Sequence, residues 1–407
     1  MKLAVIGGGA AGLFASGVAS HNGADVTMFE KNDRAGVKLR ITGKGRCNLT
    51  NDCDRDTFFR SVMSNPRFLY SSYSALTPAD VMAFFEGLGV PLKVERGNRV
   101  FPVSDRAADV AEALIRYCAD GKVRTVHEKV LGIKHENAFT VTTAKGEYVF
   151  DRVIIATGGR SYPRTGSDGD GYTFARELGH TVTPTSPSLV PLICEDELCP
   201  RCQGLSLKNV TLTVTDTSDG RTVFSELGEM LFTDKGVSGP LVLSASAHMT
   251  DIRPGRYRLE IDLKPALDTQ TLDKRLLRDF SENINKDLIN SLSALLPSKL
   301  IAPFISLTGI PADKKINSVT AQERKTMVGY LKHLPLTVRS AAPVSEAIIT
   351  RGGVNVRELD PKTMQSKLVP GLYFAGEVID CDAYTGGFNL QIAFQTANAA
   401  ALSASGS

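Results

Sequence analysis

Six residues near the start of the chain, Gly7-Gly8-Gly9-Ala10-Ala11-Gly12, fit the pattern G-x-G-x-x-G, and Glu30 follows Gly12 by 18 positions. These are the parts needed to hold a dinucleotide. Gly7 makes a tight turn, Gly9 lets a pyrophosphate approach the backbone, and Gly12 lets a helix pack on a strand. Ala11 lies in the first turn of that helix, whose N-terminus offers unpaired N–H groups and a positive dipole end to the pyrophosphate. Glu30 sits where a carboxylate accepts bonds from ribose hydroxyls. A glycine-rich packing turn would be the bland alternative, but the strand, helix and acid around the motif outweigh it.

Two other stretches carry chemistry. Residues 31–46 hold Lys31, Arg34, Lys38, Arg40, Lys44 and Arg46 against one acid, Asp33, and also Gly36, Gly43 and Gly45. Cations and close backbone just after Glu30 suit phosphates and an electron-rich ring. A solvated basic loop or a weak nucleic-acid patch is the competing reading. Near the other end, Thr385-Gly386-Gly387-Phe388-Asn389-Leu390-Gln391 opens a helix whose N–H groups suit the pyrimidine end of a flavin, where reduction places negative charge. An ordinary helix cap after a glycine turn fits the same residues.

The elements that must position these residues are legible around them. Leu3-Ala4-Val5-Ile6 reads as a buried strand, a helix runs to about Asn22, Gly23 stops it, and Asp25–Phe29 is a second strand. Arg152–Ile155 is another strand running into Thr157-Gly158-Gly159, with a helix over Tyr172–Leu178 beyond Gly166, Gly169 and Gly171. Gly371–Glu377 reads as a strand, and an alanine-rich helix from about Phe388 to Ala401 suits burial against a sheet. The expected fold is α/β: a Rossmann-like domain built from both chain ends, 1–189 and 339–407.

The interrupting segment has another texture. Val210–Thr215 alternates with period two, Asp219-Gly220 is a hairpin turn, and Thr222-Val223-Phe224 is the partner. An antiparallel β insertion is expected over 190–264, with part of 335–350 as a candidate addition. A helical insertion is expected over 265–338, with Leu272, Leu276 and Leu277 on one face and Leu288, Leu292, Leu295 and Leu296 on another.

Composition bounds the rest. The 407 residues allow two or three domains, and 42% hydrophobic with 22% charged residues is ordinary for a globular protein. A net charge of +3 is too mild to argue for nucleic acid by itself. No segment approaches the roughly 20 apolar residues of a membrane span, so the expected location is the cytoplasm. The oligomeric state is left open. Seven cysteines without a secretion signal read as free thiols; Cys194, Cys199 and Cys202 form C-x4-C-x2-C, but a fourth ligand is not evident, so no metal site is expected.

Taken together, these stretches resemble the YhiN-like FAD-dependent oxidoreductases, a family that includes aminoacetone oxidase and a bile-acid-pathway flavoenzyme. The likeness is carried by GGGAAG at 7–12, TGKGRCNLTN at 42–51, FPVSDRAADV at 101–110, ATGGRSYPRTGSDGDGY at 156–172, LFTDKGVSGP at 231–240, TRGGV at 350–354 and GLYFAGEVIDCDAYTGGFNLQIA at 371–393. The resemblance implies non-covalent FAD. Gly7, Gly9, Gly12 and Glu30 would hold the adenosine half, with Lys31, Arg34, Gly36 and Lys38 lining the same end. Arg46, Cys47 and Asn48 would lie near the flavin or its ribityl chain, and Thr157 and Gly158 close to the dinucleotide. Glu377, after Gly376, would take the ribityl side. Gly387, Phe388, Asn389 and Leu390 would cap the isoalloxazine, and Val130 would touch adenine through its backbone. One departure is visible: Asp234 stands where the family pattern often has histidine.

The implied activity is hydride exchange between flavin N5 and a small organic substrate, either amine oxidation or reduction of a conjugated C=C. An RNA-modifying flavoenzyme and a non-catalytic flavin-binding module are the alternatives. If NAD(P)H is the reductant, it visits the flavin without a Rossmann domain of its own. No catalytic acid or base declares itself; Tyr162, His180, Cys47 and Asp380 lie in plausible stretches and each reads more readily as structural. The insertion is expected to enclose the substrate.

Overall fold

A computed structural model describes residues 1–406; residue 407, the last of the C-terminal segment, lies outside the described residues. The chain forms two compact units, residues 1–188 with the segment from 344 onward, and residues 189–343.

The first unit is built on a five-stranded parallel sheet. Its order is Leu372–Phe374, Arg152–Ile155, Lys2–Ile6, Asp25–Phe29, Arg124–Val126. Parallel strands are covered on both faces, which explains why Leu3–Ile6, Val26–Phe29 and Val153–Ile155 are unbroken buried runs. The helix Ala10–His21 crosses from the first strand to the second, and Gly23 after it takes φ +86°. Chain direction then reverses to the other side of the first strand, so the turns after Ile6 and Ile155 lie side by side at a topological switch point, where ligands bind in open α/β sheets. The C-terminal helix, Phe388–Ser405, packs on Ala10–His21. Its alanines 397, 400, 401 and 404 are fully buried, which lets backbone approach backbone. Of the expected strand at 371–377 only Leu372–Phe374 is extended; Gly376, at φ +76°, opens a 3-10 turn through Val378. Two three-stranded antiparallel sheets complete the unit, one of them the meander Val130–His135, Phe139–Thr143, Gly146–Phe150.

The second unit is a closed antiparallel barrel of six strands with helices Thr269–Ser281, Ser298–Thr308 and Ala321–Lys332. Ser206–Asp216 pairs with Arg221–Phe232 across the Asp219-Gly220 turn. Two expectations need correction. Residues 334–338, included in the expected helical insertion, belong instead to the strand Leu334–Ala341, the part of 335–350 raised as a candidate addition to the β insertion; Leu334, Leu336 and Val338 alternate into the barrel and bring the unit's end to 343. Residues 288–296 are a 3-10 turn and further turns. The backbone of 287–289 bonds Lys314, Lys315 and Ala312 instead of continuing a helix, while the leucines still bury. Leu277 is exposed although Leu272 and Leu276 are buried. Among the described residues, no helix is long and apolar enough to cross a membrane.

Each unit has its own hydrophobic cluster. Excising 189–343 and joining residues 188 and 344 by a flexible linker is therefore expected to leave a cooperatively folding protein that takes up FAD, measured by thermal melting and flavin titration. A folded product that takes up no FAD would show that cofactor binding needs the barrel unit.

Candidate cofactor and active site

The glycines of the first turn do different physical work. Gly7 stands at φ +103°, and a Cβ on it would lie 2.7 Å from the Ala156 carbonyl oxygen, the edge of the neighbouring turn. A Cβ on Gly12 would lie 1.7 Å from the Gly7 carbonyl oxygen. These two close the turn. Gly9 caps the helix with no side-chain bond, and a Cβ there would meet nothing within 4 Å. The space in front of Gly9 and of the first unpaired helical N–H groups is open, as a pyrophosphate cradle must be.

Glu30 is buried. Its Oε2 accepts from the Gly8 N–H (2.8 Å), and its Oε1 accepts from the Asn32 N–H (2.8 Å) and Nδ2 (2.7 Å). The carboxylate therefore braces the phosphate turn before any ribose arrives. Asn32 Nδ2 also bonds the Thr165 carbonyl (3.1 Å), and the Gly36 N–H donates to the Gly8 carbonyl (2.8 Å). Gly36 itself stands at φ +75°. Val130 begins the meander, buried, one residue beyond Lys129, whose ammonium pairs with Asp170 (3.2 Å).

At the other end, Gly387 caps the C-terminal helix at φ +100°, and a Cβ would meet the Thr50 carbonyl oxygen at 2.2 Å. Thr50 Oγ1 donates to Gln391 (2.7 Å), and Asn51 Nδ2 donates to the Gly386 carbonyl (2.9 Å). The segment 47–51 thus runs beside the helix start. The Asn389 side chain is spent on Ala383 and Tyr384 backbone, which leaves its N–H, with those of Phe388 and Leu390, as the groups available to a ligand. Cys47, at φ +60°, is fully buried, and burial pushes its thiol up to about 12, which removes it as a nucleophile at neutral pH.

Between the ends lies a cluster that sequence reasoning missed as a cluster. Lys38 Nζ pairs with Glu377 Oε2 (2.7 Å) and donates to Ser161 Oγ (2.7 Å); Glu377 Oε1 accepts from Ser161 Oγ (2.9 Å) and the Thr350 N–H (2.8 Å). Gly159 makes room for it, since a Cβ there would lie 2.4 Å from Thr350 Oγ1 and 2.7 Å from Glu377 Oε1. The glycine pair Gly158-Gly159 was the available signal. Gly158 stands at φ +74° beside Ser167.

Of the other cations of 31–46, all but the exposed Lys44 are turned toward protein carboxylates. Lys31 pairs with Asp168 (2.7 Å) and Asp170 (2.9 Å), Arg34 and Arg40 share Glu112, and Arg46 pairs with Glu95 and Asp105 over the Phe101 ring. The stretch is not an open basic face. Of the other residues weighed for catalysis, only Tyr162 nears the cluster, with Lys38 Nζ 6.0 Å from its ring. His180 is buried between Ser366 and Glu358, and burial holds its pKa down; Asp380 is pushed up by burial. Asp234 is exposed in a turn between barrel strands. The seven cysteines are free thiols, and among the described residues no group of three or more His, Cys, Asp or Glu could hold a metal ion.

FAD fits this arrangement on two independent observations. The open cradle at Gly9 is one. The other is that Asn48 Oδ1, in the segment beside the second helix start, is buried without a hydrogen-bond partner, a cost that a bound polar group removes; Thr157 Oγ1 is likewise unpartnered but lies against Gly171. A family model described as the HI0933-like protein Rossmann domain matches residues 1–403. The chain belongs to this HI0933-like family. It is 31% identical to a ribosomal RNA dihydrouridine synthase of Escherichia coli over 98% of this chain and 96% of that one, and 31% identical to the Haemophilus influenzae protein of the same name over 98% of each. It is 30% identical to a 3-dehydro-bile acid delta(4,6)-reductase of Clostridium scindens over 97% of each. Among solved structures, 3-ketosteroid delta1-dehydrogenase from Sterolibacterium denitrificans shares the fold, with TM-score 0.50 and 12% identity over 99% of each chain. The protein is an FAD-dependent oxidoreductase.

Two glycine variants separate cradle from closure. Gly9→Ala is expected to leave the melting temperature of the apoprotein within about a degree, because its Cβ meets open space, yet to weaken FAD binding at least ten-fold. Gly12→Ala is expected to destabilise the apoprotein by about 1–3 kcal/mol or more, since backbone must move. Equal effects of the two on stability would refute the distinction. Glu30→Ala should weaken both FAD binding, by about ten-fold, and the fold, by about 1–3 kcal/mol, because the Gly8 and Asn32 N–H groups lose their acceptor. Urea unfolding of the apoprotein and flavin titration read the two effects separately.

Proposed function

We propose that the protein reduces a carbon–carbon double bond conjugated to a carbonyl, and that its substrate is a uridine base within RNA. The observation that supports the reading most is chemical agreement among its relatives. Making dihydrouridine and reducing a 3-oxo-4,6-diene both add two hydrogens across a C=C conjugated to a carbonyl, although the molecules differ greatly in size. Two whole-length relatives bear the RNA name. The bile-acid relative supports a second reading, a free cyclic enone. Amine oxidation has less behind it.

The chain's own residues supply binding and electrostatics. Glu30 and the Gly9 helix start would hold the adenosine and pyrophosphate. Asn48 offers an unspent side-chain oxygen beside the second helix start. The Lys38–Glu377 cluster fixes the loops at 161, 350 and 377 against one another. The N–H groups at Phe388–Leu390 favour negative charge at the pyrimidine end. When bound, the reduced flavin would supply hydride chemistry for conjugate reduction: two electrons and a hydrogen to the β-carbon, with the α-carbon protonated from solvent. A reduced nicotinamide nucleotide is the proposed electron source, docking transiently.

The test is incubation of the holoprotein and NADH or NADPH with ribosomal RNA lacking dihydrouridine, followed by nucleoside mass spectrometry. A two-hydrogen gain on uridine supports the reading. Reduction of a 3-oxo-4-ene steroid but not of RNA would move the assignment to free enones. A flavin that neither nucleotide nor dithionite bleaches would instead mark a non-catalytic flavin module.

A further inference from the structure

One short helix in the first unit, Arg55–Ser61, faces two ways. Phe58 turns inward, fully buried, with its ring 6.1 Å from that of Phe388 at the start of the C-terminal helix. Phe59, the next residue, turns into a groove of about 500 Å³ that Arg55, Asp56, Arg60, Pro66 and Tyr70 also line. The Phe59 and Tyr70 rings meet edge to face at 4.5 Å. The Arg55 guanidinium lies 5.4 Å from the Tyr70 ring and 5.7 Å from the Phe59 ring. Tyr70 is 42% exposed, and Arg55 and Arg60 are exposed.

The charge here is arranged unlike that of 31–46. Among the described residues, no ion pair ties Arg55, Arg60 or the neighbouring Arg67 to a carboxylate; Arg60 bonds only the Thr57 hydroxyl (3.0 Å). Asp54 accepts from the Thr57 N–H and also feels the charge of Arg60, and Asp56 is the one acid on the groove wall. The groove is also tied to the flavin-capping turn. Val62 bridges Ala383, and the Met63 N–H donates to the Asp382 carbonyl (2.8 Å), in the loop that leads into the C-terminal helix.

We propose that this groove binds a single strand of RNA. It would stack a base on the Phe59–Tyr70 face and take phosphates on Arg55 and Arg60. The inference rests on the RNA reading above and adds the surface that would hold the strand beside the flavin end. An exposed Tyr70 ring backed by the half-buried Phe59, with arginines that no carboxylate bonds directly, offers a π-face and positive charge together, which is what single-stranded nucleic acid requires. An acidic peptide would use the arginines but leave the rings unused.

The experiment uses the full-length FAD-loaded protein and a short fluorescein-labelled single-stranded oligouridine, followed by anisotropy across a salt series. Tyr70→Ala is expected to weaken binding about ten-fold. Arg55→Gln with Arg60→Gln is expected to make the slope of log affinity against log salt shallower by about 1.4, two contacts at about 0.7 each. Flavin content and bleaching by dithionite are expected to stay unchanged in both. If Tyr70→Ala lost flavin, the exposed arginine pair alone would decide. Wild-type binding that neither variant alters, with uridine still reduced, would overturn the groove and leave the function standing. Wild-type protein that binds no RNA would overturn both, and binding of polyglutamate in its place, lost in the arginine variant, would assign the groove to an acidic protein partner.

Discussion

The first unit depends on one close approach. The Gly7 carbonyl oxygen occupies the space that any side chain at position 12 would need, and the Gly7 α-carbon sits against the Ala156 carbonyl. These contacts set the helix Ala10–His21 directly over the end of the first strand and bring the turns after Ile6 and Ile155 together. Loosening either would move the helix start, and with it the open position at Gly9. The cradle is thus defined by what cannot be placed around it. Glu30 adds the second constraint by pinning the Gly8 N–H from the adjacent strand.

Both ends of the candidate cofactor site are helix starts without side-chain caps, and they come from opposite ends of the chain. A serine or aspartate cap would satisfy those N–H groups and occupy the ligand's place. Leaving them uncapped costs stability to the ligand-free protein and makes anion binding favourable. Because the two helices pack on each other, the site forms only when residues 10–21 meet residues 388–405, and the barrel unit is accommodated between them in sequence.

What was legible in the sequence was local. The glycine turn, Glu30, the buried strands and the alternating barrel strands all announce themselves within a dozen residues, because turn geometry and side-chain period are local properties. The misreadings have one cause. The leucines at 288–296 have helical spacing, but the backbone of 287–289 finds partners at 312–315; Leu334, Leu336 and Val338 alternate, but too briefly to stand out after a helix. The cations of 31–46 read as a face open to phosphate, whereas Glu95, Asp105, Glu112, Asp168, Asp170 and Glu377 neutralise all of them but Lys44 from elsewhere in the chain. No local pattern carries such pairings; Lys38 and Glu377 are 339 positions apart.

That ion pair also shows what the cluster contributes. Both side chains are largely withdrawn from water, at 20% and 16% exposure, and the desolvation cost of such a pair roughly offsets its attraction. Net stability is therefore a poor reason for it. The donors around Glu377 point to another. Lys38 comes from the helix Val37–Gly45 beyond the second strand, Ser161 from the loop after the Arg152–Ile155 strand, and the Thr350 N–H from the strand Ile349–Arg351. A carboxylate that accepts from three segments is satisfied only when all three are in register. An apolar cluster of equal volume would tolerate sliding; charges that must each find a partner do not. The cluster trades energy for position, holding the helix Val37–Gly45 and the segments at 161, 350 and 377 in register next to Gly376, which packs on Ala11 in the first turn of the helix after Gly9.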